Sequence, residues 1–387
     1  MRVVATEKLP AKIWADDIEA GALEQIRNLA NLPFAFKHIA VMPDCHQGYG
    51  MPIGGVLATT GVIIPNAVGV DIGCGMKAMS TDIRIEEMDT ETLKRIMGRI
   101  RETVPVGFSH QSAAQDEGFM PQLVIRTVVD REYDSALKQL GTLGGGNHFI
   151  EIQKDVEVGN VWVMIHSGSR NLGKQVADHY NKLAVGLNEK WCSVVPKPWE
   201  LAFLPQGSEE YAAYLDEMQY CVAFARANRA LTMERIIQAI EAEFPEAEFT
   251  EAPDVAHNYA RLENHFGQNV MVHRKGATSA KQGQIGIIPG SQGTASYIVQ
   301  GLGNPQSFES CSHGAGRRMG RKDATRRLDL AEEIAKLDSQ GIVHSIRTVS
   351  DLDEAAGAYK PIEEVMEQQR DLVEVVHRLT PMGVIKG

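Results

Sequence analysis

A chain of 387 residues, of which 43% are hydrophobic and 23% charged, is long enough to bury a large core and is typical of a globular protein. Its formal net charge of −11 counts against unspecific coating of nucleic acid, so a nucleic-acid substrate needs a locally basic groove. Residues 1–14 lack the apolar core of a signal peptide, and no run reaches the roughly 18 apolar residues of a membrane span, which predicts a cytoplasmic protein without membrane contact.

Hydrophobic periodicity predicts several helices and a larger number of short strands. The helical pattern covers residues 16–32, 90–104, 208–244 and 361–379, and a break near Asn228 divides the third of these. The strands are short β-branched and apolar runs at residues 54–60, 62–64, 67–70, 148–153, 161–165, 269–272 and 297–300.

These elements do not alternate regularly, which favours an α+β fold over a doubly wound sheet. We expect a mixed β-sheet core that is lined by glycine-rich loops, with the helices packed outside. Residues 1–387 are predicted to form one large domain, with an exposed loop at 109–118 and an insertion-like helical segment at 208–244. The five cysteines are odd in number and irregularly spaced, which favours metal binding over a disulfide framework.

The first cluster of reactive residues lies in the glycine turn at residues 70–75. Asp71 and Cys74 are three positions apart, and the glycines let the backbone fold tightly enough for both side chains to converge. A carboxylate and a thiolate at one point indicate a metal ion, because two bare anions would repel each other. The alternative is an Asx-type turn beside an inert buried cysteine.

A second cluster follows three glycines at residues 144–146, whose backbone N–H groups suit an anion. If the next residues form a strict strand, Asn147 and Glu151 share a face and His148 points away from it. They are then able to serve two neighbouring sites, one for a nucleotide and one for a metal. The alternative is a hairpin turn with a histidine that belongs to the core.

Further candidates occur singly in other turns. His166 ends an apolar strand and precedes a small-residue turn that resembles the phosphate site at a helix N-terminus, whereas His257 carries little information alone. The loop at 286–293, with Ser291 and the later Ser296 as hydroxyl donors, has a type II turn as its alternative interpretation. His46 lies in another glycine turn and is a candidate to face the site. No role is assigned to His110, His179, His344 and His377.

The last cluster is a histidine followed by cations. His313 stands beside the backbone N–H groups of Gly314 and Gly316, where an imidazole is able to act as a nucleophile toward a phosphate. A dense basic run follows, made of Arg317, Arg318, Arg321, Lys322, Arg326 and Arg327. Positive charge concentrated in an acidic chain indicates a local anion.

In this order, the clusters resemble the RtcB RNA-splicing ligase family, and the resemblance extends over almost the whole chain. The segments that carry it are residues 34–42 (FAFKHIAVM), 43–50 (PDCHQGYG), 70–75 (VDIGCG), 141–151 (GTLGGGNHFIE), 166–170 (HSGSR), 257–259 (HNY), 286–293 (GIIPGSQG), 312–317 (SHGAGR) and 386–387 (KG).

The resemblance implies an enzyme that depends on GTP and on two Mn²⁺ ions, and that joins RNA 3′-phosphate or 2′,3′-cyclic phosphate ends to 5′-hydroxyl ends. It implies that His313 takes GMP from GTP and that Cys74 bridges the two ions. The implied metal ligands are Asp71, Cys74, His148, His166 and His257. The implied guanylate contacts are Asn147, Glu151, His257, Asn258, Pro289, Gly290, Ser291, Gln292, Ser296, His313, Gly314, Ala315, Gly316 and Lys386.

Two points qualify this interpretation. One cysteine and three histidines suit zinc better than manganese by ligand softness. We nevertheless follow the resemblance on manganese, and we expect zinc to bind tightly and to inhibit the enzyme. A two-metal RNA phosphoesterase or nuclease is the alternative function, and a metal-stabilised RNA-binding module is a non-catalytic one. RNA is the expected partner, and an archease-type activator is among the partners that the resemblance allows.

Overall fold

The fold is known from a computed structural model that describes residues 1–122 and 127–387. The helices are α1 (Ala20–Ala30), α2 (Pro65–Val68), α3 (Thr90–Thr103), α4 (Val128–Gln139), α5 (Arg170–Lys190), α6 (Glu209–Glu241), α7 (Arg321–Arg327), α8 (Leu330–Asp338) and α9 (Ile362–Gln368). In this described part, every helix is too short or too polar to cross a membrane.

The strands are β1 (Arg2–Val4), β2 (Ala11–Ile13), β3 (Ala35–His46), β4 (Ile53–Thr59), β5 (Val62–Ile63), β6 (Gly75–Arg84), β7 (Phe149–Asp155), β8 (Asn160–Ser167), β9 (Leu204–Pro205), β10 (Phe249–Ala256), β11 (Asn258–His265), β12 (Gln268–Lys275), β13 (Ala277–Ser279), β14 (Ile285–Ile288), β15 (Ser296–Gly301), β16 (Ser310–Ser312) and β17 (Val373–Lys386). Together with the helices they confirm the predicted α+β class.

Most strands belong to two sheets. The six-stranded sheet has the order β1-β2-β3-β4-β12-β11, in which only the β2–β3 pair is parallel among the described strands. The seven-stranded sheet has the order β10-β6-β8-β7-β17-β15-β14 and is antiparallel. The second sheet curls, since β14 at one edge contacts β10 and β6 at the other.

The two sheets pack against each other because their strands alternate apolar residues between two faces. On β3, Ile39 and Val41 face α1, whereas Ala40 and Met42 face a core that they share with residues of β15 and β17. On the seven-stranded sheet, residues of β7 and β8 pack on α3 and α6. Helices therefore cover the outer faces of the two sheets, and the ends of the strands remain free to form a site.

Three of the predictions about these elements are wrong. Residues 67–70 were expected to form a strand, but Pro65 begins the short helix α2, and Gly69, at φ 97°, ends it. Helix α6 is continuous through Asn228. The buried amide of Asn228 is satisfied across the fold, since it accepts from Thr142 N at 3.1 Å and donates to Ser167 Oγ at 3.0 Å, so it does not compete for the helix backbone.

The third wrong element is the long helix expected at 361–379. Helix α9 ends at Gln368, and β17 begins at Val373, where Val375 and Val376 follow as further β-branched residues. The strand pairs with β7 on one side and β15 on the other, so tertiary pairing decides the structure of this segment.

The loop at 109–118 is mostly exposed, and the backbone N–H groups of Gln111 and Gln115 tie it to the end of α4 by hydrogen bonds of 2.9 and 3.1 Å.

Candidate active site

One rim of the curled sheet gathers residues that are distant in sequence. Strands β6 and β7 begin at this rim, directly after Cys74 and His148, and β8 ends there next to His166. Strand β10 ends before His257, and β17 ends with Lys386. Because antiparallel neighbours run in opposite directions, the starts of some strands and the ends of others meet at the same edge.

The Cys74 sulfur lies at the centre of a group of metal-ligating atoms. Its Sγ is 3.2 Å from His166 Nε2 and 3.4 Å from His148 Nε2. The Nε2 atoms of His166 and His257 are 3.3 Å apart, and His148 Nε2 is 3.0 Å from Asp71 Oδ2. Ligand atoms about 2.0–2.3 Å from one tetrahedral ion are separated by roughly 3.3–3.6 Å, so these spacings fit bound cations.

The donors divide into two groups that share the thiol: Cys74 with His166 and His257, and Cys74 with Asp71 and His148. An atom common to two groups is where a ligand that bridges two ions is expected. The shared position of Cys74 therefore fits a pair of ions better than a single one.

A hydrogen bond orients the His166 ring so that its lone pair faces this centre. His166 Nδ1 is 3.0 Å from the Asn147 carbonyl oxygen, which only accepts, so Nδ1 carries the proton and Nε2 of the neutral ring is a free acceptor. His257 Nδ1 is buried without a hydrogen-bond partner in the described part of the chain. Burial lowers the pKa of both histidines well below the ordinary value, so both rings are neutral at pH 7 and available as ligands.

Burial and the nearby Asp71 carboxylate raise the pKa of the Cys74 thiol well above its ordinary value. Burial alone would also raise the pKa of Asp71, but the hydrogen bond with His148 and the charge of Arg170 hold it below its usual range. A thiol with a raised pKa is a ligand only when a cation displaces its proton, so metal affinity at this site is expected to increase with pH.

His313 lies beside the metal group but is held by a different partner. Its Nδ1 is 2.6 Å from Asp44 Oδ2, which also accepts from the His313 backbone N–H at 3.0 Å. Because the buried carboxylate accepts a hydrogen bond from Nδ1–H, the other ring nitrogen, Nε2, carries the lone pair. Gly316, at φ 73°, permits this approach, since a Cβ there would meet the Asp44 backbone. The His313 ring is T-shaped against His257, with centroids 4.7 Å apart.

Another wall of the cavity is formed by the loop after β14. Gly290 N donates to Ser296 Oγ at 3.2 Å, and the same hydroxyl oxygen accepts from Gln153 Nε2 at 3.1 Å. Gln153 Nε2 also donates to Glu151 Oε2 at 2.6 Å. Burial raises the pKa of Glu151 to about 8. Ser296 therefore lies beneath the loop and fixes it rather than facing the cavity.

A buried carboxylate joins this wall to the basic run. Glu354 pairs with Arg317 Nη1 at 3.0 Å and with Arg321 Nε at 2.9 Å, and its backbone oxygen accepts from Gln292 Nε2 at 2.8 Å. Burial lowers the pKa of the Lys386 ammonium, against the attraction of Glu354. Two of the six cations therefore organise the site itself.

These elements surround a cavity of about 950 Å³, at the upper end of the range for small-molecule sites. The predicted residues that line it are Asp71, Cys74, Asn147, Glu151, His166, His257, Asn258, Pro289, Gly290, Ser291, Gln292, His313, Gly314, Ala315, Gly316 and Lys386. His148 and Ser296 lie behind its surface. His46 lines it as well, and burial lowers the pKa of this histidine to about 4.

Sequence reasoning missed three residues of the site. Asp44 lies near the end of β3, two residues before His46, and the motif at residues 43–50 indicated only His46 as a candidate. Lys275 donates from Nζ to the Tyr49 carbonyl at 2.6 Å, and burial lowers its pKa to about 7. Glu354 lies in an irregular segment with no motif, and only the fold reveals it.

Comparison with known proteins identifies the family of this chain. The family model described as tRNA-splicing ligase RtcB matches residues 25–118 and 109–387. The RNA-splicing ligase RtcB of Escherichia coli (strain K12) is 39% identical, with 100% of this chain and 99% of that protein covered. The tRNA-splicing ligase RtcB of Thermococcus kodakarensis is 34% identical over 98% of this chain and 95% of that protein. The RNA-splicing ligase RtcB homolog 1 of Entamoeba dispar is 33% identical over 94% and 82%.

The cavity combines a candidate cation site of thiol, imidazole and carboxylate groups with a histidine that is oriented by a carboxylate, an arrangement that is typical of metal-dependent enzymes. The family match and the full-length identities make the class specific: the chain belongs to the RtcB family of RNA-splicing ligases.

Proposed function

We propose that the protein is a GTP- and manganese-dependent RNA ligase that joins 3′-phosphate or 2′,3′-cyclic phosphate ends to 5′-hydroxyl ends. RNA ligation is the activity of the family to which the chain belongs. The observation that supports the GTP step is the Asp44–His313 pair, whose 2.6 Å hydrogen bond leaves the second ring nitrogen free as a nucleophile. The cytoplasm is the proposed compartment, and an archease-type activator is a compatible partner.

In the first step His313 Nε2 attacks the α-phosphorus of GTP, a P–N bond forms, and the bond to the bridging oxygen breaks as pyrophosphate leaves. The RNA 3′-phosphate then attacks the same phosphorus and releases the histidine, which gives an RNA 3′-phosphate–guanylate anhydride. Attack by the 5′-hydroxyl on the RNA phosphorus expels GMP. Asp71, Cys74, His148, His166 and His257 would hold the manganese ions, whose positive charge would offset the negative charge on the attacking and departing oxygens.

The guanine base is proposed to lie against Glu151, Lys386 and the 289–292 loop. Gln153 links Glu151 to this loop through Ser296, and Glu354 accepts from Gln292 and attracts Lys386. We also propose that residues 1–387 act as one domain, because both sheets contribute to one core and to one site.

A two-metal phosphoesterase would use the same cation site but would need no oriented histidine. Incubation with α-labelled GTP and manganese separates the two functions. The ligase is expected to carry acid-labile label on the protein, because a phosphoramidate hydrolyses in acid, whereas a phosphoesterase remains unlabelled.

Replacing Lys386 by alanine is expected to raise the GTP concentration needed for half-maximal labelling and to narrow the preference over ATP. Its ammonium is able to donate to guanine O6 or N7 but meets the amino group of adenine unfavourably. This GTP concentration is expected to rise about 10- to 100-fold, as for the loss of a hydrogen bond from a charged group. Lys154→Ala on β7 is the control. Unchanged GTP requirement and base preference in Lys386→Ala would refute the contact.

RNA binding is expected to depend on the cations that the structure leaves exposed at the cavity. Lys322 lines the cavity, whereas Arg327 on the same helix does not. Lys322→Gln is expected to weaken RNA binding and to reduce the slope of log affinity against log salt by about 0.7, with little change in labelling by GTP. Arg327→Gln, of equal charge change, is the control. Equal loss of labelling and RNA binding in Lys322→Gln would assign this lysine to the GTP site instead.

A further inference from the structure

Tyr49 is an exposed aromatic residue at the wall of the active-site cavity. Its surface is 70% exposed, and it lies in the turn that follows β3. In the described part of the chain its ring stacks on no other ring and meets no cation. An exposed tyrosine ring at the wall of this cavity is free to stack on a ligand.

The backbone beneath this ring is fixed by its neighbours. The Gln25 side-chain amide donates to Gly48 O at 2.6 Å and accepts from Gly48 N at 3.1 Å. Gly50 N donates to Glu200 Oε2 at 3.1 Å, and the Tyr49 carbonyl oxygen accepts from Lys275 Nζ at 2.6 Å. The turn is therefore held on both sides of Tyr49, and only the ring is free to turn. A ring on a fixed backbone loses little conformational entropy when a ligand covers it.

The contacts of this turn lead to the metal group rather than to the guanine wall. Lys275 Nζ also donates to the Asn66 carbonyl at 3.0 Å, and the methylenes of Lys275 lie against Gly69, two residues before Asp71. The proposed guanine wall is organised separately by Glu354. The turn of Tyr49 is held by Gln25, Glu200 and Lys275, none of which belongs to that wall, so the ring is available to a ligand other than the proposed guanylate.

We propose that Tyr49 is a stacking platform for the terminal nucleobase of an RNA strand at the junction. The inference rests on the proposed RNA-ligase function and adds a substrate contact to it. Stacking suits a repair enzyme because every base has a π-face, so the contact tolerates any sequence at the break. Its loss is expected to weaken RNA binding roughly 5- to 150-fold, the range for a base stacked on an aromatic side chain.

The test uses RNA strands that carry 2-aminopurine at the terminal nucleotide, either at a 3′-phosphate end or at a 5′-hydroxyl end, because stacking quenches the fluorescence of this base. Wild-type protein and Tyr49→Phe are expected to quench one of the two probes, and that probe identifies the strand. Tyr49→Leu is expected to lose both the quenching and the affinity. Phe108→Leu is the matched control, because Phe108 is an exposed aromatic residue that does not line the cavity.

Two further measurements separate the outcomes. An abasic terminal nucleotide is expected to bind wild type and Tyr49→Leu equally, and the loss in Tyr49→Leu is expected to be larger for RNA binding than for labelling by GTP. Unchanged RNA affinity and quenching in Tyr49→Leu, or a difference that persists on abasic RNA, would overturn the inference. If wild-type protein binds RNA but takes no label from GTP, the proposed ligase function fails, and the quenching result still decides the role of Tyr49.

Discussion

His313→Ala is expected to abolish covalent labelling by GTP and all ligation while manganese binding persists. The ring is the proposed nucleophile, and its hydrogen-bond partner is Asp44 rather than a member of the cation groups. Removing a nucleophile typically costs several orders of magnitude in rate, so we expect a loss of about 10⁴-fold or more. Acid-labile label on the protein and calorimetric titration with manganese measure the two properties separately.

Three variants make this result specific. His110→Ala and His179→Ala change histidines outside the cavity and are expected to be close to wild type. Asp44→Asn keeps the shape of the pair, but its amide is able to donate to Nδ1 and to hold the opposite tautomer, so labelling is expected to slow strongly without vanishing. Label that persists in His313→Ala would remove this histidine from the role.

Cys74→Ala is expected to remove manganese binding and ligation together. The sulfur belongs to both donor groups, so its loss leaves each group with two ligands, and no other side chain of the described residues belongs to both groups. Mutation of residues that only hydrogen-bond to metal ligands already lowers metal affinity by about 10- to 100-fold, so loss of a shared ligand is expected to lower manganese affinity further. Manganese stoichiometry, GTP labelling and circular dichroism measure occupancy, activity and folding in one preparation.

The controls are other cysteines. Cys221 is buried in α6 and Cys192 is exposed, and neither belongs to the cation groups of the described residues. Their alanine variants are expected to keep manganese and activity. Retained manganese and ligation in Cys74→Ala would refute the bridging assignment.

The same site makes a prediction about metal identity. Zinc outranks manganese in affinity for nitrogen and sulfur donors, so added zinc is expected to displace manganese and to inhibit ligation. Full ligation activity in a zinc-loaded preparation that is free of manganese would contradict the manganese assignment.

The sequence predicted the reactive clusters better than the elements between them. Asp71 and Cys74, or Asn147 and Glu151, are close in sequence, and glycine turns with strand periodicity define their local geometry. Asp44 and His313 are separated by 269 residues, so their pairing depends on how the sheets pack. The segment 361–379 shows why short apolar runs mislead: its valines suit a strand, but only its neighbours β7 and β15 determine that it forms one.

The central position of β17 has a consequence for how the chain folds as it is made. Strands β7 and β15 are synthesised well before residues 373–386, and until that strand arrives each presents an unpaired edge. Insertion of β17 between them closes the sheet and brings Lys386 to the rim. Such non-local pairing is slow, typically milliseconds to seconds. A partly synthesised chain therefore lacks a working guanine wall, and its open edges are the surface that chaperones have to shield against aggregation.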